Sequence, residues 1–307
     1  MQRASRRHML KSLKGAEVRK QSAIARIFTA AVFHELVKKG QSPLFARLLK
    51  ELAVEADSYA WSVGRLFDEL FILLKRKDFR NEYAYKAAIV QKILLGSHSL
   101  KTASIVDEFR VGSNKADVVM LNGTSTAYEI KSDRDRLDRL YSQVISYSEV
   151  FANVTVLCAE RHLESVISIV PEFVGVSVLT DRYQISKFRS GVTDPHRTIS
   201  SAIFKAITQK EALQILSNLG VPVPNLPNTK MHDALDKEFV KIPSAFVHDE
   251  MVRVLKRTRS LSQLSESVGS LPESLRFFAL TVPLNGRAKE NLLTAIDTPL
   301  MDAVKWG

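Results

Sequence analysis

Apolar residues recur at helical spacing through SAIARIFTAAVFHELVKKG, residues 22–40, and the run stops at Gly40. SPLFARLLKELAVEAD follows, with Ser42 as N-cap and Pro43 as first helical residue. YAWSVGRLFDELFILLKRK, residues 59–77, predicts a third helix, and NEYAYKAAIVQKILLG, residues 81–96, a fourth. The texture then changes to short runs of strand character: SIVDEFRVG, KADVVMLNG, STAYEIKS, NVTVLCAE and GVSVLTD. A long helix, about 135–151, separates the third run from the fourth, and a shorter one, about 162–170, the fourth from the fifth. The order α-β-β-β-α-β-α-β begins as a meander and ends in crossover units. It predicts an α/β fold with a mixed central sheet flanked by helices. From residue 191 the pattern is again mostly helical, with SSAIFKAITQKEALQILSNLG ending at Gly220 before a Pro/Asn-rich linker.

This divides the 307 residues into a basic, flexible tail (1–18), a helical region (19–79), an α/β domain (80–190) and a mostly helical C-terminal region (191–307). The helices of 19–79 fit either a helix-turn-helix or winged-helix module, or a bundle that packs on its neighbour; the bundle is the plainer reading. Composition, at 45% hydrophobic and 25% charged, is that of a chain able to bury a core. The net charge of +11 and pI near 9.7 favour a polyanionic partner, nucleic acid before an anionic membrane surface. Cys158 has no second cysteine to pair with, which fits a reducing cytoplasm. No segment has the ~20 apolar residues that span a bilayer. No serine–histidine–aspartate signature, P-loop or dinucleotide fingerprint is present.

The third strand carries an anomaly. In STAYEIK, Tyr128 and Ile130 are the apolar alternates of a core strand, so Glu129 and Lys131 share the opposite face. Register decides whether Asp117, on the preceding strand, joins them. A two-residue turn at Asn122-Gly123 opposes Asp117 to Tyr128; a three-residue loop through Thr124 opposes it to Glu129. The second arrangement is expected, because carboxylates are costly to bury without a cation. Lys131 pairs with one acid and a divalent metal with two. Asp117, Glu129 and the Ile130 carbonyl are hard oxygen donors that suit Mg²⁺ or Mn²⁺ over Zn²⁺. Glu82 opens the apolar stripe Tyr85–Ile89–Ile93 of the preceding helix and is a candidate fourth group, or a carboxylate placed for the helix dipole.

Asp117 followed by Glu129-Ile130-Lys131, with Glu82 on a preceding helix and the strand order above, resembles the PD-(D/E)XK nuclease superfamily, and within it the bacterial sce-type family. RNEYAYKAAIV, KADVVMLNG, YEIKSDRDRLDRLYSQVISY and VGVSVLTD carry the likeness, over about residues 76–190. One departure is Ala116, where the superfamily pattern has proline. The resemblance implies a restriction-endonuclease-like core of α-β-β-β-α-β order. It implies that Asp117 and Glu129 hold the metal, that Lys131 assists the attacking water, and that Glu82 completes a metal or water network. Gln143 and Tyr147, one turn apart on the next helix, resemble cleft-lining residues of Holliday-junction-resolvase-type nucleases. Arg139 at the start of that helix is a candidate substrate contact. Lys86 is another, or an intrahelical partner of Glu82.

The expectation is therefore a Mg²⁺-dependent DNA endonuclease working by in-line attack of a metal-activated water, with DNA favoured over RNA and with a homodimer or protein partner open. The alternatives are a catalytically silent DNA-binding or regulatory protein, or a nuclease effector of an anti-phage or mobile-element system that needs a partner.

Overall fold

The computed structural model describes residues 17–53, 58, 60–97, 102–223, 226–259, 268–269 and 271–307, so most of the expected 1–18 tail lies outside the described residues. The chain forms two units, residues 1–87 with 266–307, and residues 88–265.

The first unit begins with α1 (Glu17–Ile27), α2 (Ala30–Lys39), α3 (Pro43–Leu52) and α4 (Val63–Leu74). Their ends follow local chemistry. Gly40 stops α2 in the left-handed region at φ +69, with its N–H on the Leu36 carbonyl. Ser42 caps α3 through the Phe45 N–H, and Ser62 caps α4 through the Arg65 N–H. The chain then enters α5 (Glu82–Ala88), which widens into a π-helix over Ile89–Leu94.

The second unit is built on a six-stranded mixed sheet in the order β1 (Ser104–Val111), β2 (Asn114–Leu121), β3 (Ser125–Lys131), β4 (Asn153–Ala159), β5 (Gly175–Leu179) and β6 (Ile185–Arg189). β1, β2 and β3 form an antiparallel meander. β3, β4 and β5 run parallel, joined through α6 (Leu140–Ser148) and α7 (Leu163–Ile169). β6 returns antiparallel to β5. The helices α8 (Ser200–Ala206), α9 (Gln209–Asn218), α10 (Asn228–Lys241) and α11 (Ser244–Arg259) follow. Their residues Ile203, Leu216, Phe239 and Met251 are buried in one cluster with Val119, Ala127, Val154 and Val176 of the sheet. Residues 200–259 thus share the core of the α/β unit.

The first unit closes with α12 (Arg276–Thr281), α13 (Gly286–Asp297) and α14 (Leu300–Ala303). Phe278 of α12 stacks on Tyr83 at 4.6 Å and on Phe33 at 5.0 Å, and Tyr83 stacks on Phe28 at 5.2 Å, so an aromatic core ties both ends of the chain into one helical bundle. No helix among the described residues is long and apolar enough to cross a membrane.

Three expectations on the elements need correction. The single helix expected over residues 22–40 is two, α1 and α2, because Thr29 is extended between them at φ -117 and ψ 154. The helix placed at about 135–151 spans Leu140–Ser148. Asp135 reaches back to the Ser132 N–H at 2.7 Å and hydroxyl at 2.6 Å, and this holds a turn where the helix was expected to begin. β6 was not anticipated, because Ser186, Lys187 and Phe188 of this edge strand are exposed and the run lacks alternation.

Candidate functional site

Register is the first test of the site. Leu121 pairs with Ser125 and Val118 with Tyr128, so Asn122, Gly123 and Thr124 form a three-residue loop with Gly123 at φ +91. Continued by one residue, this register sets Asp117 opposite Glu129, as the expected loop requires. The paired ladder ends at Val118–Tyr128, and the Asp117 carboxylate takes over where it stops: Oδ2 accepts the Ile130 N–H at 2.6 Å. On the other side of β2, Glu108 adopts φ +53 and pairs with Lys115 at 2.7 Å on the surface.

Glu129 and Lys131 are 2% and 7% exposed and form an ion pair at 2.7 Å. Two residues of α6 complete the arrangement. Gln143 Oε1 accepts from the Lys131 ammonium at 3.0 Å. The Tyr147 hydroxyl lies 2.9 Å from Glu129 Oε2 and 2.8 Å from the Lys115 carbonyl. Gln143 and Tyr147 share a helix face because they are four residues apart. Burial raises the Glu129 carboxyl above its ordinary range, in opposition to Lys131 and to the hydrogen bonds from Lys131, Tyr147 and Gln143. Burial also raises the Tyr147 hydroxyl, and the charges of Glu129 and then Asp117 push it further.

The other sequence candidates are placed as follows. Glu82 and Lys86 belong to the first unit and pair with each other at 2.8 Å across one helical turn. Arg139 occupies the N-cap position of α6 with its side chain exposed; its carbonyl accepts the Gln143 N–H. Cys158 is fully buried, and burial pushes its thiol up to about 12, as fits an inert core residue.

Among the described residues, no group of three or more His, Cys, Asp and Glu could hold a metal ion. The donor set here is the pair Asp117 and Glu129, with the Ile130 carbonyl between them in sequence. That pair still fits Mg²⁺, which keeps several waters and is commonly held by one or two carboxylates together with substrate phosphates. It does not make a closed, all-protein cage.

Two supporting residues escaped the sequence reading, and a buried histidine backs them. Ser132 and Asp135 shape the exit from β3, and the buried His162 places Nε2 3.1 Å from the Ser132 carbonyl. The S-x-x-D spacing of SDRD was a visible signal for the first two. A serine–histidine–aspartate row also appears: Ser125 Oγ is 2.8 Å from His248 Nε2, and His248 Nδ1 is 3.0 Å from Asp249. Ser125 and His248 are both 0% exposed, and Ser125 accepts the Ala152 N–H, so the row locks α11 onto the sheet and offers no accessible nucleophile.

A family model described as Bacteriophage P4 protein cII matches residues 75–276, a stretch that includes Asp117, Glu129, Lys131, Gln143 and Tyr147. Protein cII of Enterobacteria phage P4 is 30% identical over 171 residues, which are 55% of this chain and 58% of that protein. The match thus covers less than two thirds of the relative's length. No solved structure matches.

Proposed function

The chain belongs to the bacteriophage P4 protein cII family, and from that premise and the cluster on β2, β3 and α6 we propose that it acts on nucleic acid as a metal-dependent phosphodiesterase with a PD-(D/E)XK-like core. The observation that carries this reading is the convergence on one point of Asp117, Glu129, Lys131, Gln143 and Tyr147. The order helix, three-strand meander, helix, parallel strand supports it.

A bound Mg²⁺ or Mn²⁺, held by Asp117 and Glu129, would lower the pKa of a water and neutralise charge on a phosphate. The chain's own residues do the positioning. An ammonium has three N–H donors. Lys131 spends two on Glu129 and Gln143, which leaves one to orient a water or a phosphate oxygen. Tyr147 fixes the second oxygen of Glu129. Arg134 and Arg139, exposed in the loop between β3 and α6, are placed for backbone phosphates, and the net charge of +11 adds long-range attraction. DNA is the favoured substrate.

A catalytically silent nucleic-acid-binding or regulatory protein is the second reading, and the comparisons stand closer to it: the matched relative is named as a phage protein and not as a hydrolase. One feature of the cluster favours it too. Both oxygens of the buried Glu129 are engaged, by Lys131 and Tyr147, so its charge is balanced within the chain.

One experiment separates the two. Supercoiled DNA is incubated with the full-length protein in Mg²⁺, with chelator, and with Asp117→Asn, while binding is followed at low and moderate salt. Nicking that disappears with chelator and with Asp117→Asn supports the phosphodiesterase. Salt-sensitive binding retained by Asp117→Asn, with no nicking, supports the silent binder. Absence of DNA binding at any salt concentration removes both.

A further inference from the structure

The sheet face turned away from α6 carries a polar stripe across β3, β4 and β5, beside the buried apolar residues Met120, Ile130, Leu157 and Leu179 of the same face. On β4, Val154, Val156 and Cys158 point into the core shared with α6, whereas Asn153 and Thr155 alternate onto the other side. On β5, Val176 and Val178 face that core and Ser177 faces away. β3 adds Thr126 and Tyr128 to the polar side. Parallel strands covered on both faces are normally apolar on both. Buried hydroxyl and amide groups cost free energy unless they find partners; here Asn153 donates to Thr193 at 2.9 Å and accepts from Thr155 at 3.2 Å, which leaves the Tyr128 and Ser177 hydroxyls.

The stripe floors a cavity of about 490 Å³ whose rim carries Lys92, Lys187 and Arg189. No carboxylate lines it. Lys92 and Lys187 make no ion pair among the described residues. The Arg189 guanidinium is fixed by the carbonyls of Val174 at 2.9 Å and Pro171 at 3.0 Å, neutral acceptors that leave its charge uncompensated. Tyr128 and Ser177, each 7% exposed, have side chains with no hydrogen-bond partner among the described residues. Gly191 is part of the lining, and Gly175 packs closely against it. A Cβ on Gly175 would stand 2.6 Å from Thr155 Oγ1 and 2.8 Å from the Gly191 nitrogen, and a Cβ on Gly191 would stand 2.6 Å from Asn153 Oδ1.

We propose that this cavity is a binding site for a phosphorylated small molecule of mononucleotide size. The three cations with no facing acid select a phosphate. The hydroxyl and amide floor, with the Tyr128 ring, suits a sugar and base. The volume of about 490 Å³ lies within the usual range for small-molecule sites and is far more than a free phosphate fills. The site is separate from the Asp117–Glu129 pair: Tyr128 and Glu129 are consecutive on β3 and point to opposite faces of the sheet.

Calorimetric titration of the full-length protein with AMP, GMP, CMP and UMP, and with adenosine, inorganic phosphate and a short single-stranded oligonucleotide, tests this. At least one mononucleotide is expected to bind at least tenfold more tightly than adenosine and than phosphate. Lys92→Met with Lys187→Met is expected to weaken it at least tenfold, and Ser177→Val at least threefold, in proteins whose circular dichroism matches the wild type. Failure of all four mononucleotides at millimolar concentration overturns the proposal. So does phosphate binding as tightly as a mononucleotide, or wild-type affinity in the folded double-lysine variant. Oligonucleotide binding through the two lysines without mononucleotide binding would make the surface a nucleic-acid track and overturn it as well.

Discussion

The Tyr147 hydroxyl lies 2.9 Å from Glu129 Oε2, so the helix that follows β3 reaches back to hold the acid that β3 carries. Lys131 holds the other oxygen from the same strand. The three groups therefore stabilise one another, and each is expensive to remove singly.

Lys131→Met should leave Glu129 buried without its counter-ion and destabilise the protein by roughly 3–5 kcal/mol in denaturant unfolding at neutral pH. Glu129→Gln together with Lys131→Met should recover a large part of that loss, because no lone charge remains. If the double variant is no more stable than the single one, the pair is not the coupled unit its geometry indicates.

Asp117→Ala should free the Ile130 N–H at the point where the β2–β3 ladder ends. A cost of about 1.5–3 kcal/mol is expected for a hydrogen bond to a charged acceptor. Amide exchange at Ile130 is the direct measurement: its protection should fall in Asp117→Ala and stay near wild type in Asp117→Asn. Unchanged protection in the alanine variant would mean that the carboxylate does not hold this strand end.

The turn itself left two registers open in the sequence, since Asn122-Gly123 also fits a two-residue loop, and it was the charges of Asp117, Glu129 and Lys131 that favoured the three-residue loop the structure has. The start of α6 was not legible, because Asp135 spends its carboxylate on Ser132 and a helical pattern says nothing about that competing turn. The polar floor was written in NVT and GVSV, yet Asn, Thr and Ser on a strand also read as ordinary solvent-facing alternates until the opposite face is known to be buried. The grouping of residues 266–307 with 1–87 had no local signature at all, since Phe278 meets Tyr83 across the whole length of the sheet unit.

Two buried groups should shape stability against pH. Burial lowers the His248 pKa below its ordinary 6.5, although Asp249 opposes the shift. The unfolded chain then takes up the proton first, so this contribution is complete above pH 6.5 and declines as the pH falls below it. At Glu211 burial raises the pKa, but the Arg259 fork and Thr208 outweigh it and hold the carboxyl at about 2, against 4.5. Its contribution, on the order of 3 kcal/mol, is complete above pH 4.5 and is lost between 4.5 and 2. Thermal midpoints should fall in two stages on acidification, the first absent in His248→Gln and the second in Glu211→Gln. A single stage shared by both variants would contradict this assignment.

Gly175→Ala should destabilise by about 1–3 kcal/mol, because its Cβ would meet backbone as well as Thr155 and the wall cannot simply rotate aside. Gly286→Ala, where a Cβ meets nothing within 4 Å, is the matched control and should be nearly neutral in the same thermal unfolding assay.

The division of the chain has a consequence for its synthesis. The helical unit begins with α1 and is completed only by α12, α13 and α14, whereas the sheet unit lies wholly between them. On the ribosome the strands and their covering helices emerge as one uninterrupted block and can condense while translation continues. The earlier helices must wait for their partners: Phe28, Phe33 and Tyr83 have no Phe278 to close on until the whole sheet unit has been made. The guest is thus finished before its host, and the exposed aromatic surface of α1, α2 and α5 during that interval is where the nascent protein is most open to aggregation and to chaperone capture.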